Sequence, residues 1–478
     1  MTTNDTSPKK VIPIQAVEDD EVMVSLYQAS KKIYPRSVEG FYAQLRWVMV
    51  ALTQIVFYGL PWLEWGARQA VLFDLGTRRF YIFGLVLYPQ DFIYLTGLLV
   101  ISALSLFLFT AVAGRLWCGF ACPQTVYSEI FLWIERKVEG DRTARMRLDE
   151  GDFSGKKLSK KVVKHFLWIA LSLWTGFTFV GYFAPIRELG SDLLLNHVSA
   201  WGLFWIFFYA FATYGNAGFM REQVCKYMCP YARFQSAMFD HDTLIVTYNE
   251  ERGEPRGPRS KKTDMSTSNL GSCVDCTLCV QVCPTGIDIR NGLQYECISC
   301  GACVDVCDSV MDKMGYARGL VSFATQNALQ NKWSPKQMMQ RIARPRVIIY
   351  TLILLSLVVA LGTSLAMRTP YKVDVVRDRA TLARITEDGA IENIYRLQVM
   401  NAAESDKTYE ISVSGLPDIK LVTENKVSVA SAQAHWVVMR VTIPYGSSEG
   451  GSHKIYFDIK DLGGTHNVHE QSVFIVPR

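Results

Sequence analysis

The chain has 478 residues, 49% hydrophobic and 20% charged, which excludes a single compact soluble core and indicates a membrane protein of several parts. Its net charge of +5 comes from basic residues spread through loops, with no basic face interleaved with aromatics, so a nucleic-acid partner is excluded as well. All twelve cysteines fall in tight spacings with none left over, which points to metal or redox ligation in a reducing compartment and against a disulfide framework.

Residues 1–40 lack the apolar core and small-residue cleavage site of a secretory signal and read as a cytoplasmic tail. Residues 41–235 hold four apolar stretches long enough to cross a bilayer, roughly 45–63, 91–113, 166–184 and 201–217, and a fifth lies at 347–365. The fourth runs into "YGNAGF" and is the weakest. Residues 114–164 carry eleven Lys or Arg, against three in 64–90 and one in 185–198. The positive-inside rule therefore puts 114–164, the N-terminus and the loop 218–346 in the cytoplasm, and the C-terminal region on the far side.

Two of these spans end alike, in "LWCGFACPQTVYSEIFLW" and "EQVCKYMCPYARFQSAMF", so a helical hairpin with a surface helix is repeated, each copy carrying Cys-x3-Cys-Pro. With Pro123 and Pro230 at the first helical position, Cys122 and Cys229 become N-caps, where the helix dipole would lower the thiol pKa. Cys118, Cys122, Cys225 and Cys229 are then candidates to converge on a soft metal such as Cu(I), or to cycle between dithiol and disulfide. Neither motif has the following His that covalent haem attachment needs.

Residues 236–345 contain the densest signal. Cys273, Cys276, Cys279 and Cys283 stand at Cys-x2-Cys-x2-Cys-x3-Cys-Pro, and Cys297, Cys300, Cys303 and Cys307 repeat the spacing without the proline. In such runs three thiolates wrap one cluster and the fourth serves the other. Cys273, Cys276, Cys279 and Cys307 are thus expected on one [4Fe-4S] cluster, and Cys297, Cys300, Cys303 and Cys283 on the second; paired zinc sites seldom use this spacing.

The fifth span is assigned to 346–367. From 368 to 478, segments such as "NIYRLQVMNAA", "TYEISVSG", "HWVVMRVTIP" and "HKIYFDI" alternate apolar and polar residues, as in an immunoglobulin-like β-sandwich. His165, His197 and His241 read as polar anchors sooner than as ligands. His435, His453, His466 and His469 fall in the outer domain, where "HNVHE" with Met400 or Met439 is a minor metal candidate. No nucleotide or phosphate loop appears in a strand-to-helix context, so electrons must come from another protein or from an unannounced cofactor.

The stretches "RLWCGFACPQTVYSEIFLWIERKVEGDR", "KHFLWIALSLWTGFTFVGYFAPIREL" and "REQVCKYMCPYARFQSAMFDHDTLIVTYNEERGEPRG", with the two-cluster run, closely resemble the CcoG (FixG, RdxA/RdxB) family of cbb3-type cytochrome oxidase accessory proteins, from about residue 33 through the sandwich. The resemblance implies a multi-pass bacterial inner-membrane protein with a cytoplasmic two-cluster ferredoxin domain and a periplasmic sandwich. It also implies reduction of Cu(II) to Cu(I) for the oxidase's copper centre, cluster ligation by Cys273 through Cys307, and a redox or copper role for Cys118, Cys122, Cys225 and Cys229. The expected partners are a cytoplasmic electron donor, copper chaperones or a copper transporter, oxidase assembly factors and, as an open alternative, a second copy of the chain. Two alternatives stand beside this: a quinol-linked electron conduit, and a non-enzymatic copper-holding scaffold.

Overall fold

The computed structural model describes residues 32–261, 269–378, 383–464 and 466–477. Most of the expected N-terminal tail, residues 1–31, lies outside them.

In chain order the helices that matter are α1 (Phe41–Gly59), α2 (Phe92–Ala113), α3 (Leu116–Phe120), α4 (Pro123–Glu139), α5 (Arg142–Glu150), α6 (Gly155–Val180), α7 (Ile186–Leu195) and α8 (Ala200–Gly215). They are followed by α9 (Pro230–Met238), α10 (Leu278–Gln281), α11 (Ala302–Met314) and α12 (Pro345–Ala366). Among the described residues four stretches are long and apolar enough to cross a membrane: Phe41–Trp62, Pro89–Ala113, Gly155–Val180 and Pro345–Ala366. Apolar residues surround α2 and α12 on all sides, and both leave most of that surface exposed, as lipid-facing helices do.

The expected count of five is not reached by single helices. The segment at 201–217 forms α8, which has only 16 residues, and it passes as a span only together with α7 across a 104° bend. The local sequence explains the break: Asn196 ends α7 in a left-handed conformation, and Ser199 caps α8 by accepting from Gly202 N. Helix α8 nonetheless lies tightly along α6. A Cβ on Gly176 would sit 2.2 Å from Ile206 O, so only glycine admits this approach.

Contacts sort the molecule into two ends. At one end the Cys-rich domain meets the start of α1, through Asp305, and the end of α2, where Leu244 N donates to Val112 O. At the other end is a three-stranded antiparallel sheet, β1 (Val71–Asp74), β2 (Arg79–Ile82) and β3 (Leu85–Leu87). Leu72, Tyr81, Val86 and Tyr88 of this region share a core with Met400 and Ala432 of the C-terminal domain. Buried Asp91 pairs there with Arg368 and Lys372. Cys-rich and C-terminal domains therefore sit at opposite ends of the spans.

Strands β4 (Ile245–Tyr248) and β5 (Val321–Ala324) pair antiparallel and flank the Cys-rich domain. The C-terminal domain is a sandwich of two antiparallel sheets. One runs β9 (Lys420–Leu421), β11 (Ala434–Ile443), β7 (Ile391–Asn401), β6 (Tyr371–Arg377), and the other β10 (Lys426–Val429), β8 (Lys407–Ser414), β12 (Gly451–Asp461), β13 (Asn467–Val476). Alternation builds its core: Tyr395, Leu397 and Val399 point inward against Ile411, Phe457 and Ile459, while Arg396 faces solvent.

Candidate functional site

Both cysteine runs fold by the same backbone device. The second and fourth residues after the first cysteine are left-handed in each run, Asp275 and Thr277 in one, Ser299 and Gly301 in the other. These alternating turns curl three successive thiols toward one side, and the chain then enters α10 or α11. Gly301 has a second reason to lack a side chain, because a Cβ there would strike the ring of Tyr42.

The structure brings the eight cysteines together in two groups of four. Cys273, Cys276, Cys279 and Cys307 line one apolar cavity with Tyr248, Met311 and Leu320. Cys283, Cys297, Cys300 and Cys303 line another with Val246, Ile287 and Ile298, and Cys279 borders both. Among the described residues no three His, Cys, Asp or Glu side chains are close enough for a single metal ion. Four thiols per cavity, apolar walls and no compact one-ion site fit a polynuclear sulfur-bridged cluster better than zinc. Burial pushes the Cys279 thiol up to about 11 and Cys297 and Cys307 up to about 12, so these groups become thiolates with a cationic centre to compensate them.

Helix α1 is anchored to this domain. Asp305, in the first turn of α11, accepts from Tyr42 N at 3.1 Å and Ala43 N at 2.8 Å, capping the start of α1 from 262 residues away. Asp305→Ala is expected to cost about 1 kcal/mol, the worth of a cap, and to raise amide exchange at the start of α1 selectively. Unchanged exchange there would show that α1 is held by other contacts. One turn further on, buried Arg46 pairs with Glu129 at 3.5 Å and acts electrostatically on Cys300 and Cys303.

The two Cys-x3-Cys-Pro motifs meet. Cys122 and Cys229 are the N-caps of α4 and α9, with Pro123 and Pro230 at the first helical positions. The four thiols act electrostatically on one another in every pairing. Cys118 and Cys225 pack on Val282, Ile298 and Cys300, the wall of the second cysteine group. Gly119 makes this possible: a Cβ there would lie 2.7 Å from Ile298 O, 2.8 Å from Ser299 O and 2.9 Å from Cys300 Cα.

The lowering expected for the Cys122 thiol at its N-cap is overturned. Burial pushes Cys118 up to about 11 and Cys225 up to about 12, and raises Cys122. Backbone N–H groups of Gln124 and Thr125 do pull Cys122 downward, as an N-cap should, but desolvation outweighs them.

Beyond Cys122, toward the spans, lies a cavity of about 380 Å³ between α1, α4, α6 and α8, lined by Gln54, Phe57, Ala121, Pro123, Tyr127 and Tyr209 among others. Of the histidines, His165 lies against Tyr214, Nδ1 to hydroxyl 3.0 Å, and His241 bonds Gln326. His469 pairs with Asp458 and stacks on Tyr456. His435 and His466 are exposed while Met400 and Met439 are buried in separate cores, so the described residues of the sandwich do not assemble the minor metal candidate.

Three family models match the chain: a 4Fe-4S binding domain over residues 95–139, a 4Fe-4S dicluster domain over 220–326, and the IG-like fold at the C-terminal of FixG over 361–477. Nitrogen fixation protein FixG of Rhizobium meliloti (strain 1021) is 39% identical over 436 residues, 84% of this chain and 83% of that protein. Protein RdxB of Cereibacter sphaeroides is 38% identical over 464 residues, 94% of this chain and 97% of that protein. The chain belongs to the FixG/RdxA/RdxB family. Protein RdxA of the same organism agrees, at 37% over 455 residues, 92% of this chain and 95% of that protein. A crystal structure of a FixG-related protein from Vibrio parahaemolyticus aligns with 23% of this chain and 97% of that one, at 24% identity and a TM-score of 0.21, too low to carry an argument.

This FixG-family chain is thus a membrane protein with iron–sulfur domains and an immunoglobulin-like C-terminal domain. Sequence reasoning missed the residues that join its parts: Arg46, Gly119 and Asp305, with Arg115, whose guanidinium donates to Ala232 O at 2.6 Å and Cys297 O at 3.4 Å, and Gln235, whose amide donates to Cys118 Sγ at 3.5 Å. A signal exists for two of them, since Arg46 and Arg115 are cations within or beside apolar segments and such charges mark functional positions. The partners of the others are distant in sequence.

Proposed function

We propose that this FixG-family protein reduces Cu(II) to Cu(I) for assembly of the copper centre of a cbb3-type cytochrome oxidase. The observation that carries the reading is the packing of Cys118 and Cys225 directly on the wall of the second cysteine group. Iron–sulfur clusters, when bound, store and release single electrons, as cupric reduction requires. The chain's own contribution is to hold four soft donors at the membrane side of that wall, where thiolate favours Cu(I) over Cu(II). Family membership and the charge bias of residues 114–164 support a bacterial inner-membrane setting with the ferredoxin domain in the cytoplasm and the sandwich in the periplasm. Helix α8, antiparallel along α6, then serves as the fifth crossing. A cytoplasmic donor, copper chaperones or a transporter, oxidase assembly factors and a second copy of the chain are the proposed partners.

The test is re-oxidation of the anaerobically reduced protein by Cu(II), with Cu(I) formation followed in parallel, in wild type and with Cys118, Cys122, Cys225 and Cys229 all changed to Ser. Loss of Cu(I) formation in the variant, with iron still bound by the ferredoxin cysteines, is the expected result. Equal rates would remove the four thiols from the reaction.

The membrane-level cavity favours a second reading, the quinol-linked conduit. Gln54 Oε1 is buried beside this cavity without a hydrogen-bond partner among the described residues, and a ring carrying a hydroxyl donor would satisfy it. Gln54→Leu is expected to weaken a quinol analogue roughly three- to tenfold by loss of one hydrogen bond. Absence of any saturable quinol binding to wild type removes this reading.

A further inference from the structure

The two ferredoxin cysteine groups lie in unlike electrostatic surroundings. At the first group Arg290 acts on Cys279, but its guanidinium is bonded to two carboxylates, Asp275 and Asp288, the latter with oxygens 2.8 and 3.1 Å from Nε. Asp308 adds a further negative charge beside Cys307. The second group is flanked instead by two cations from the membrane part of the chain, Arg46, 8% exposed, and Arg115, 4% exposed. Arg46 stands one turn beyond the point where Asp305 holds the start of α1, and it acts on Cys300 and Cys303. Arg115 stands one turn before Gly119, whose missing side chain lets α3 press on Ile298, Ser299 and Cys300. Its guanidinium donates to Cys297 O at 3.4 Å and to Ala232 O at 2.6 Å.

The carboxylates that oppose these two cations are shared or spent elsewhere. Glu129 pairs with Arg46 at 3.5 Å and with Arg136 at 3.0 Å, one carboxylate for two guanidinium groups. At Cys300 the pull of Arg46 exceeds the opposing push of Glu129. Asp305 also acts on Arg46, but its two oxygens accept from Tyr42 N and Ala43 N at the start of α1. Glu296 tempers Arg115, ranking after Cys118 and Cys297 among the charges that act on it. The Nε atoms of Arg46 and Arg115 are both buried with no hydrogen-bond partner among the described residues. An orphaned buried donor on a cation is costly, and a sulfur-bridged anionic centre brings the acceptors and the charge that neutral thiols lack.

Burial works against these cations. Reduction adds a negative charge to a thiolate-ligated cluster, so removal from water makes reduction harder and a nearby cation makes it easier. Cys276 of the first group is exposed and Cys300 of the second is buried. Solvent alone would therefore leave an electron on the first group. We propose that Arg46 and Arg115 raise the reduction potential of the second cluster, so that an electron taken up at the exposed first group passes on toward the membrane. One electron leaves the first group and arrives at the second, with no proton and no bond exchanged; a one-electron donor protein replenishes the first. This rests on the reading of the eight cysteines as two clusters and holds whatever accepts the electron next.

Redox titration of the full-length protein in detergent, without copper, tests this through the visible absorbance and the paramagnetic signals of the reduced clusters. Two one-electron steps are expected. Arg46→Gln should make one of them at least about tenfold harder, a fall of about 59 mV for one electron, and leave the other in place. Arg115→Gln should lower the same step, and Arg46→Lys, which keeps the charge, should restore most of it. An iron content of about eight per chain shows that a variant holds both clusters. Loaded glutamine variants with wild-type steps overturn the inference, as does a lysine variant that falls as far as the glutamine one. Should both glutamine variants lose iron, Arg46→Lys and Arg115→Lys decide: full iron supports a need for charge at this cluster, and lost iron means that only packing is at stake and overturns it. A wild-type iron content far below eight would remove the two-cluster reading itself, and none of these outcomes depends on Cu(II) as acceptor.

Discussion

Gly119→Val is expected to leave iron on the eight ferredoxin cysteines and to slow Cu(II) reduction by tenfold or more, given that about 1 Å of misplacement in a reacting assembly costs up to about 100-fold. The reason is steric and local. Every atom that an added Cβ would meet is backbone: Ile298 O, Ser299 O and Cys300 Cα, all within 3 Å. Backbone in a cysteine loop cannot swing aside as a flexible side chain does, so α3 must lift away and carry Cys118 with it. Gly119→Ala should give a smaller effect in the same direction. Stopped-flow measurement of cluster re-oxidation by Cu(II) reads both, and a valine variant with wild-type rate would mean that the close packing of the motif on the loop has no part in electron transfer.

Glu135→Ala is expected to destabilise the protein by about 3–5 kcal/mol, the cost of leaving buried charge without its partner. Glu135 is 1% exposed and holds Arg145 at 3.1 Å, Arg221 at 3.0 Å, Lys164 at 3.6 Å and Lys32 at 3.9 Å, and Arg145 is itself 0% exposed. Lys32 is nearly half exposed, so Lys32→Ala should cost no more than about 1 kcal/mol. Burial alone would raise the Glu135 carboxyl, but Arg221, Lys164, Arg145 and Lys32 together hold it below its ordinary 4.5. A depressed folded-state pKa gives stability that is fully present above 4.5 and lost as pH falls through the folded value. The wild type should therefore lose its advantage over Glu135→Ala on acidification below that point. Thermal unfolding in detergent at pH 7 checks the size, and a midpoint equal to wild type would show the cluster of charges to be energetically idle.

What the sequence made legible was local. The two cysteine runs, the paired Cys-x3-Cys-Pro motifs and the alternation of strands such as Ile391–Asn401 depend on spacings of a few residues, which the chain displays directly. The hairpin sheet after α1 has a local signal too, since "VLFDLGTRRFYI" puts a Gly-containing turn between apolar runs, although the charge count of this segment does not reveal it. The fifth crossing failed for a related reason: "NHVS" supplies both a left-handed stop and a cap, and hydropathy alone does not register either. The Cys122 thiol departs from its N-cap expectation because a dipole at a helix start is a local property, whereas burial is a tertiary one and outweighs it. Arg115, Gln235 and Asp305 owe their roles to contacts made more than 100 residues away, which no window along the chain contains.

The most direct test of the account is a stoichiometric titration. Full-length protein would be reduced anaerobically, freed of excess reductant and titrated with Cu(II) beside a Cu(I)-selective chelator, with cluster oxidation and Cu(I) read in the same cuvette. The account predicts one Cu(I) for each electron lost from the clusters, up to their full reducing capacity. Clusters that stay reduced while copper stays cupric would contradict it.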